Sequence, residues 1–266
     1  MKLKKPTFVV LCAALLALVG ICMGIARLCG ISLWYETSAA SSNTVQQQEA
    51  PVTHSETESE QELRAACPDL SAWNMVLVNK SNPVPEDYQL NLTTVDISAS
   101  DDEVQFDARA AEALKQMMDA GNAAGMDLCI VSTYRTIEYQ EELYNRKIQQ
   151  YRNQGKNEDD AVAVASTIVT PPGCSEHNIG LAADIVGQGY NTLDSGFEDT
   201  DAGKWLATHC AEYGFILRYP EDKSEITDII YEPWHFRYVG RDAASYITEH
   251  NLCLEEFIQQ RSALEE

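Results

Sequence analysis

The most extended apolar run of the chain lies at its N-terminus. Residues 6–26 carry no charged side chain, and Lys2, Lys4 and Lys5 precede them. A run of about 20 residues matches the apolar thickness of a bilayer, whereas the core of a cleaved secretory signal is usually about 7–15 residues long. Because lysines stay on the cytoplasmic side, the rest of the chain would lie outside the cell. Residues 1–35 are therefore predicted to form a signal anchor with a single membrane helix.

A polar segment follows this run. Residues 36–66 are acidic, are rich in Ser, Gln and Glu, and nearly lack large apolar side chains. Such a segment cannot offset the entropy lost on ordering, so it is predicted to be a disordered, flexible linker. It would hold the next domain away from the membrane. The alternative is cleavage near residues 38–40, which would release a secreted protein.

Residues 67–266 have the mixture of apolar and polar residues expected of one globular domain. Short apolar groups predict strands, and longer groups with helical spacing predict helices. The predicted strands are residues 75–78, 128–132, 215–218 and 226–231, and the predicted helices are residues 108–118, 136–154, 204–213 and 254–264. Since strands and helices are mixed without a regular βαβ rhythm, the pattern favours an α+β fold over a parallel doubly wound sheet.

Composition and charge narrow the function classes. Hydrophobic residues make up 45% of the chain and charged residues 23%, which excludes a fully disordered or multi-span membrane protein. The formal net charge is −22, with 19 Lys and Arg against 41 Asp and Glu. Nucleic-acid binding is not expected, because phosphate contacts need clustered cations.

The cysteines do not predict a zinc ribbon, because no Cys-x-x-Cys occurs. Of the 8 cysteines, those in the predicted extracellular part are Cys67, Cys129, Cys174, Cys210 and Cys253. An extracellular location permits disulfides, but their odd number leaves at least one thiol free or paired between chains.

Two of the 5 histidines lie in stretches that suggest a metal site. His177 and Asp184 are seven residues apart across a glycine, and a turn leading into a strand can bring them together. His235, in Glu-Pro-Trp-His, would supply a third ligand. Two imidazoles and one carboxylate with an open fourth position are typical of catalytic zinc, which lowers the pKa of water toward about 7. Taken singly, each histidine is more often a hydrogen-bonded polar residue of a loop.

Glu232 is the candidate proton carrier of this site. It lies three residues before His235, and on a strand the two side chains would face opposite sides, but a turn at Pro233 could bring both toward the metal. A carboxylate there could take a proton from water and pass it to a leaving amine. Glu also binds zinc, so the spacing leaves both roles open. The helical His-Glu-x-x-His geometry is excluded because that motif is absent.

The motifs resemble those of the VanY-like zinc D-alanyl-D-alanine carboxypeptidase family. The family signature Ser-x-His-x-x-Gly-x-Ala-x-Asp, followed later by Glu-x-x-His, is matched without departure by Ser175, His177, Gly180, Ala182, Asp184, Glu232 and His235. The similarity extends over about residues 74–262. It implies a small, mostly antiparallel central sheet flanked by helices, the architecture of Hedgehog and D,D-peptidase domains.

The resemblance also implies roles for individual residues. His177, Asp184 and His235 would bind zinc, with Glu232 as general base and acid. Arg135 would bind the C-terminal carboxylate of the peptide or polarise its scissile carbonyl, for which a permanent forked cation is suited. The residues implied to contact substrate are Ser175, Gln140, Tyr134 and Trp234, although aromatic residues at such spacings, Tyr238 included, are more often core. In relatives, a helix carrying the equivalent of Cys210 faces the region of Cys174, which implies a Cys174–Cys210 disulfide.

The implied function is hydrolysis of the terminal D-Ala from peptidoglycan stem peptides by a monomeric, membrane-anchored catalytic domain. An L,D-carboxypeptidase that trims tetrapeptide stems would need the same metal set and is the nearest alternative. A wall-binding domain without turnover is another alternative, but binding alone would not require Glu232. A serine enzyme is not favoured, since no Ser-x-x-Lys occurs after the anchor.

Overall fold

A four-stranded antiparallel sheet lies at the centre of the fold. The computed structural model describes residues 56–100 and 103–265. Within them the strands are β1 (Leu92–Thr94), β2 (Gln105–Asp107), β3 (Leu128–Ser132), β4 (Ala182–Gly187), β5 (Phe215–Leu217) and β6 (His235–Tyr238). The central sheet has the order β3-β4-β6-β5, and β1 and β2 form a separate antiparallel pair. The predicted α+β class with an antiparallel central sheet is confirmed.

Helices flank this sheet. The α-helices are α1 (Glu58–Ala66), α2 (Ala111–Ala123), α3 (Ile137–Asn153), α4 (Glu158–Ala165), α5 (Asp201–His209), α6 (Ser224–Thr227), α7 (Arg241–Glu249) and α8 (Leu254–Ser262). Short 3-10 helices cover Glu176–Ile179, Ser195–Asp199, Cys210–Tyr213 and Glu221–Lys223. The four predicted helices are all present, with ends shifted by a few residues.

Two apolar clusters hold the layers together. The larger one joins the central sheet to α2, through side chains such as Leu114, Met117 and Ile185 that are fully removed from water. The second joins α1, α7 and α8 around Phe257 and Leu63. Burial of such side chains contributes about 1.5–3 kcal/mol each relative to exposure. The sheet is therefore a rigid base for residues at its edges.

Two predicted strands are wrong, at 75–78 and 226–231. Residues 75–78 form no strand, and the Arg237 guanidinium donates hydrogen bonds to the carbonyls of Asn74 and Val76. Residues 226–231 begin in the short helix α6 and continue as irregular chain. Asp228, in the left-handed region at φ 58°, ends that helix. Neither the hydrogen bonds from Arg237 nor the left-handed residue that ends α6 can be predicted from the pattern of apolar residues.

The predicted linker 36–66 is wrong over its last residues, which form α1. Thr57 and Glu60 build a capping box at the start of this helix, and Leu63 is buried in the second cluster. The cap and the burial of Leu63 are enough to stabilise this short helix because α7 and α8 supply the apolar surface on which it packs. The signal anchor at 1–35 and the linker up to residue 55 lie outside the described residues. Over the described ranges, no helix has the length and apolar character needed to cross a bilayer.

Candidate metal centre

The pairing of the central strands lines up three polar residues across the sheet. Asp184 on β4 is directly opposite His235, the first residue of β6, and Ser132 at the end of β3 is opposite Asp184 on its other side. An irregularity in β3 between Ile130 and Ser132 sets this register. Directly paired residues have Cβ atoms about 4.5–5.5 Å apart, so Asp184 and His235 must meet.

His177 reaches the same place from the 3-10 helix Glu176–Ile179. Ser175 caps this helix by accepting a hydrogen bond from the His177 amide, and Gly180 ends it at φ 70°. The left-handed backbone angle favours glycine at this position, because residues with a Cβ rarely adopt it. The chain then enters β4, which returns Asp184 beside His177.

The three side chains form a buried set with the geometry of a metal site. One donor atom from each of His177, Asp184 and His235 lies within 4.8 Å of the others. His177 Nδ1 is 2.5 Å from the Thr133 carbonyl oxygen. Because a carbonyl only accepts, Nδ1 carries the proton and Nε2 keeps its lone pair. Burial, with Arg135 nearby, lowers the pKa of His177 to about 4, so the ring is neutral at pH 7.

Zinc fits this donor set. His177 Nε2 is buried without a hydrogen-bond partner, 3.3 Å from Asp184 Oδ2. A cation bound between a buried lone pair and a carboxylate oxygen would satisfy both donor atoms. Donor atoms about 2 Å from a tetrahedral ion lie about 3.3 Å from each other, which agrees with this separation.

His235 lies between two carboxylates. Its Nδ1 is 3.0 Å from Asp184 Oδ1, and its Nε2 is 3.5 Å from Glu176 Oε2. Burial alone would lower the pKa of His235, but hydrogen bonding to Asp184 and Glu176 raises it to about 9. Burial would also raise the pKa of Asp184, but His177 and His235 hold it well below its usual range.

Glu176 connects the metal set to a buried ion network. Its Oε1 accepts hydrogen bonds from Arg218 Nε at 2.6 Å and Arg237 Nη1 at 2.8 Å, and all three side chains are fully buried. Arg218 also makes a two-pronged contact with Glu255 on α8. Burial opposes ionisation of Glu176, but Arg218 and Arg237 hold its pKa far below the usual value. The side chain beside His235 is therefore a fixed anion.

Glu232 is in the position expected for a proton carrier. A turn over Pro233 and Trp234 separates it from β6, and the His235 amide donates to the Glu232 carbonyl at 3.1 Å. Glu232 Oε2 lies 3.8 Å from His235 Nδ1. Burial raises the pKa of Glu232 to about 8, although His235, Arg135 and Lys147 oppose the rise. A pKa near neutral pH suits a group that must both accept and release a proton.

Arg135 lies against the metal set on a loop that is tied to the histidine helix. Its Nη2 donates to Asp184 Oδ2 at 3.0 Å and its Nη1 to Gln140 Oε1 at 3.1 Å. Gln140 in turn donates to the Thr170 carbonyl at 2.8 Å. The Gln140 amide thus holds Arg135 in place. The predicted contact of Gln140 with substrate stays a prediction.

A cleft of about 550 Å³ opens over this set. The sequence-predicted residues that line it are Arg135, Gln140, Ser175, His177, Asp184, Glu232, Trp234 and His235. Tyr134 is half-buried and is not among the residues that line the cleft, and its predicted contact with substrate stays a prediction. Tyr238 stacks on Trp73 with ring centroids 5.7 Å apart, as a core residue would. The roles predicted for the lining residues stay predictions.

The predicted Cys174–Cys210 disulfide is wrong in this structure. The cysteines among the described residues are all free thiols. Cys210 is buried in the larger apolar cluster, where burial raises its pKa to about 12, whereas Cys174 is half-buried in the turn before Ser175. The two thiols therefore occupy separate environments.

Sequence reasoning missed Glu176, Thr133 and Tyr219. Glu176 lies inside the recognised motif, between Ser175 and the metal ligand His177. A charged residue at that position was the sequence signal that could have identified it. Thr133 acts through its carbonyl, which no side-chain pattern reveals. Tyr219 lines the cleft, and its ring centroid is 4.9 Å from that of His235. This tertiary contact cannot be read from the spacing of the two residues in the sequence.

The donor set, the buried acid and the arginine define a zinc metallopeptidase site on an antiparallel sheet. A family model described as VanY, D-alanyl-D-alanine carboxypeptidase, matches residues 103–241. A D-alanyl-D-alanine carboxypeptidase of Enterococcus faecalis is 39% identical over 190 residues, which cover 71% of this chain and 67% of the relative. The chain belongs to the VanY family of D-alanyl-D-alanine carboxypeptidases.

Two solved structures agree in fold. A mutant of the vancomycin-resistance D,D-pentapeptidase VanY in complex with Zn(II) is 38% identical, with a TM-score of 0.63, and the match covers 70% of this chain and 99% of that one. The LD-carboxypeptidase LdcB is 37% identical, with a TM-score of 0.61, and the match covers 70% and 85%. The resemblance inferred from the motifs is confirmed, and zinc is the cofactor of this family site.

Proposed function

We propose that this protein is a zinc D,D-carboxypeptidase that removes the terminal D-Ala of peptidoglycan stem peptides, with Glu232 as general base and acid. The convergence of His177, Asp184 and His235 beside a buried carboxyl group supports the proposal most strongly. These three residues would hold the ion. When bound, zinc supplies Lewis acidity, which polarises a carbonyl group and acidifies water.

Residues of the chain perform the remaining steps. Glu232 Oε2 takes a proton from water as the water attacks the scissile carbonyl, and returns it to the nitrogen of the departing D-Ala as the peptide bond breaks. Arg135 either binds the terminal carboxylate or polarises the scissile carbonyl. It is only 14% exposed, so its charge is little screened by solvent. Trp234 and Tyr219 line the cleft, and their aromatic rings would limit the access of water to it.

Membrane attachment is part of the proposal. The lysines at positions 2, 4 and 5 and the uncharged run at 6–26 support a signal anchor that places the catalytic domain outside the cell, beside its substrate. Cleavage near residues 38–40 would release the same domain as a secreted enzyme.

Product masses test the activity. We expect the protein loaded with zinc to remove one alanine from a pentapeptide stem ending in D-Ala-D-Ala, and a chelator to abolish the reaction. Loss of alanine from a tetrapeptide stem alone would identify an L,D-carboxypeptidase instead. If neither peptide lost alanine while zinc remained bound, a wall-binding domain would be the better description.

A further inference from the structure

The cleft continues beyond the metal centre along one face of α3. The residues of α3 that line it are Tyr139, Gln140, Leu143, Arg146, Lys147 and Gln150. Their spacing of three and four residues places them on a single face of the helix. Gln140 is next to Arg135, and Arg146 and Lys147 lie two turns farther on.

Charge is segregated around this helix. Its acidic residues, Glu138, Glu141 and Glu142, are absent from the cleft lining. Arg152 pairs with Glu158 at 3.1 Å, outside the cleft. The cationic side chains of the far part of the cleft are thus Arg146 and Lys147, in a chain whose net charge is −22.

These two cations have no carboxylate partner among the described residues. Neither forms an ion pair there, and the Arg146 guanidinium lies over the Tyr139 ring, 5.9 Å from its centroid. The acidic residues that line the cleft are Asp184 and Glu232, both in the metal centre, and Asp184 is paired with Arg135.

We propose that Arg146 and Lys147 form an anion subsite for a second carboxylate of the substrate, about three residues before its C-terminus. The subsite rests on the proposed carboxypeptidase function and adds substrate specificity to it. Gln140 and Lys147 are seven residues apart, or about 10 Å along the helix axis. An extended peptide spans about 3.3–3.6 Å per residue, so a chain that ends at Arg135 presents its third preceding residue to Lys147.

Two matched peptides test the subsite. Both end in D-Ala-D-Ala, and the residue three positions before the C-terminus is glutamate in one and glutamine in the other. We expect the zinc-loaded protein to cleave the glutamate peptide with about tenfold higher kcat/KM, through KM, and the preference to shrink at high salt. Arg146→Gln with Lys147→Gln should remove the preference, and Lys147→Glu should reverse it.

Lys156→Gln is the control, since it removes the same charge from an exposed position outside the cleft. It should leave the preference unchanged. Equal cleavage of both peptides by the unmodified protein would overturn the subsite but leave the proposed function intact. A double variant that kept the full preference for the glutamate peptide would also overturn it, because the two cations would then not be the groups that bind the carboxylate. If neither peptide were cleaved, the proposed function itself would be wrong.

Discussion

At the scale of single residues, two buried glutamates of similar chemistry have opposite protonation behaviour. Burial raises the pKa of Glu232 to about 8, since the cations near it are too weakly placed to compensate. Glu176 is equally buried, but Arg218 and Arg237 contact it directly and hold its pKa far below the ordinary value. One carboxyl group can therefore exchange protons near neutral pH, and the other is a permanent anion behind His235.

Glu232→Gln should separate proton transfer from metal binding. The amide keeps the size of the side chain but cannot carry the proton, so we expect kcat to fall by about 100- to 10,000-fold. Zinc content, measured by atomic absorption after dialysis, should stay at the level of the unmodified protein. Hydrolysis at the original rate with zinc retained would show that another group is the base.

Zinc affinity should rise with pH because of His235. Between pH 6.5 and 8.5, Asp184 is ionised and His177 is neutral, whereas His235 holds a proton up to a pKa of about 9. A metal ion must displace that proton, so affinity should increase about tenfold per pH unit below pH 9 and level off above it. Competition with a chelator of known affinity at several pH values measures the slope. Substitution of His209, a half-buried histidine outside the site, by Gln should not alter the slope. An affinity independent of pH would contradict the assigned proton.

At the scale of elements, the site depends on the junction of β4, β6 and the histidine helix. Gly180 lets the chain turn sharply after that helix, and strand register then places Asp184 opposite His235. Arg218 follows β5 and Arg237 lies on β6, and both contact Glu176 on the helix. The ion network thus fixes the element that carries His177 to the strands that carry the other two residues of the set.

Glu176→Gln should weaken this junction. The substitution leaves two buried guanidinium groups without their shared anion, which we expect to lower the free energy of unfolding by about 3–5 kcal/mol. Urea denaturation of the metal-free protein measures the change. Glu255→Gln is the matched control. It removes one partner of Arg218 at a half-buried position and should cost about 1–3 kcal/mol. Equal losses in the two variants would contradict a special role for Glu176.

The elements also define what the sequence could predict. The strand 128–132 was predicted with its correct ends, because a short apolar run between polar turns marks a buried strand. The metal set followed from residue types and spacing, and the turn at Pro233 was anticipated. The predictions for residues 75–78 and for the segment that forms α1 are wrong because distant partners decide the secondary structure of both. The partner of residues 75–78 is Arg237, and that of α1 is the surface of α7 and α8.

At the scale of the whole molecule, the described residues all belong to one compact unit. It carries the metal set and the full range of the family match at 103–241. The preceding residues have a different composition, with the lysines and the long uncharged run together at the start. The proposed signal anchor and the metal set therefore lie in separate parts of the sequence. The monomeric state of the chain stays a prediction.

Membrane attachment should therefore depend on residues 1–35 alone. We expect the full chain, produced in a bacterial host, to remain in the membrane fraction after carbonate extraction and to dissolve in detergent, because about 20 apolar residues are enough to span a bilayer. A chain that begins at residue 55 should stay in solution and keep its zinc affinity. Mass spectrometry of the extracted protein separates anchor from signal peptide, since an anchor retains the N-terminal lysines and a cleaved signal leaves a new terminus near residues 38–40. Recovery of the intact full chain in the soluble fraction would contradict both. The catalytic domain would then have to meet its substrate without an attachment of its own.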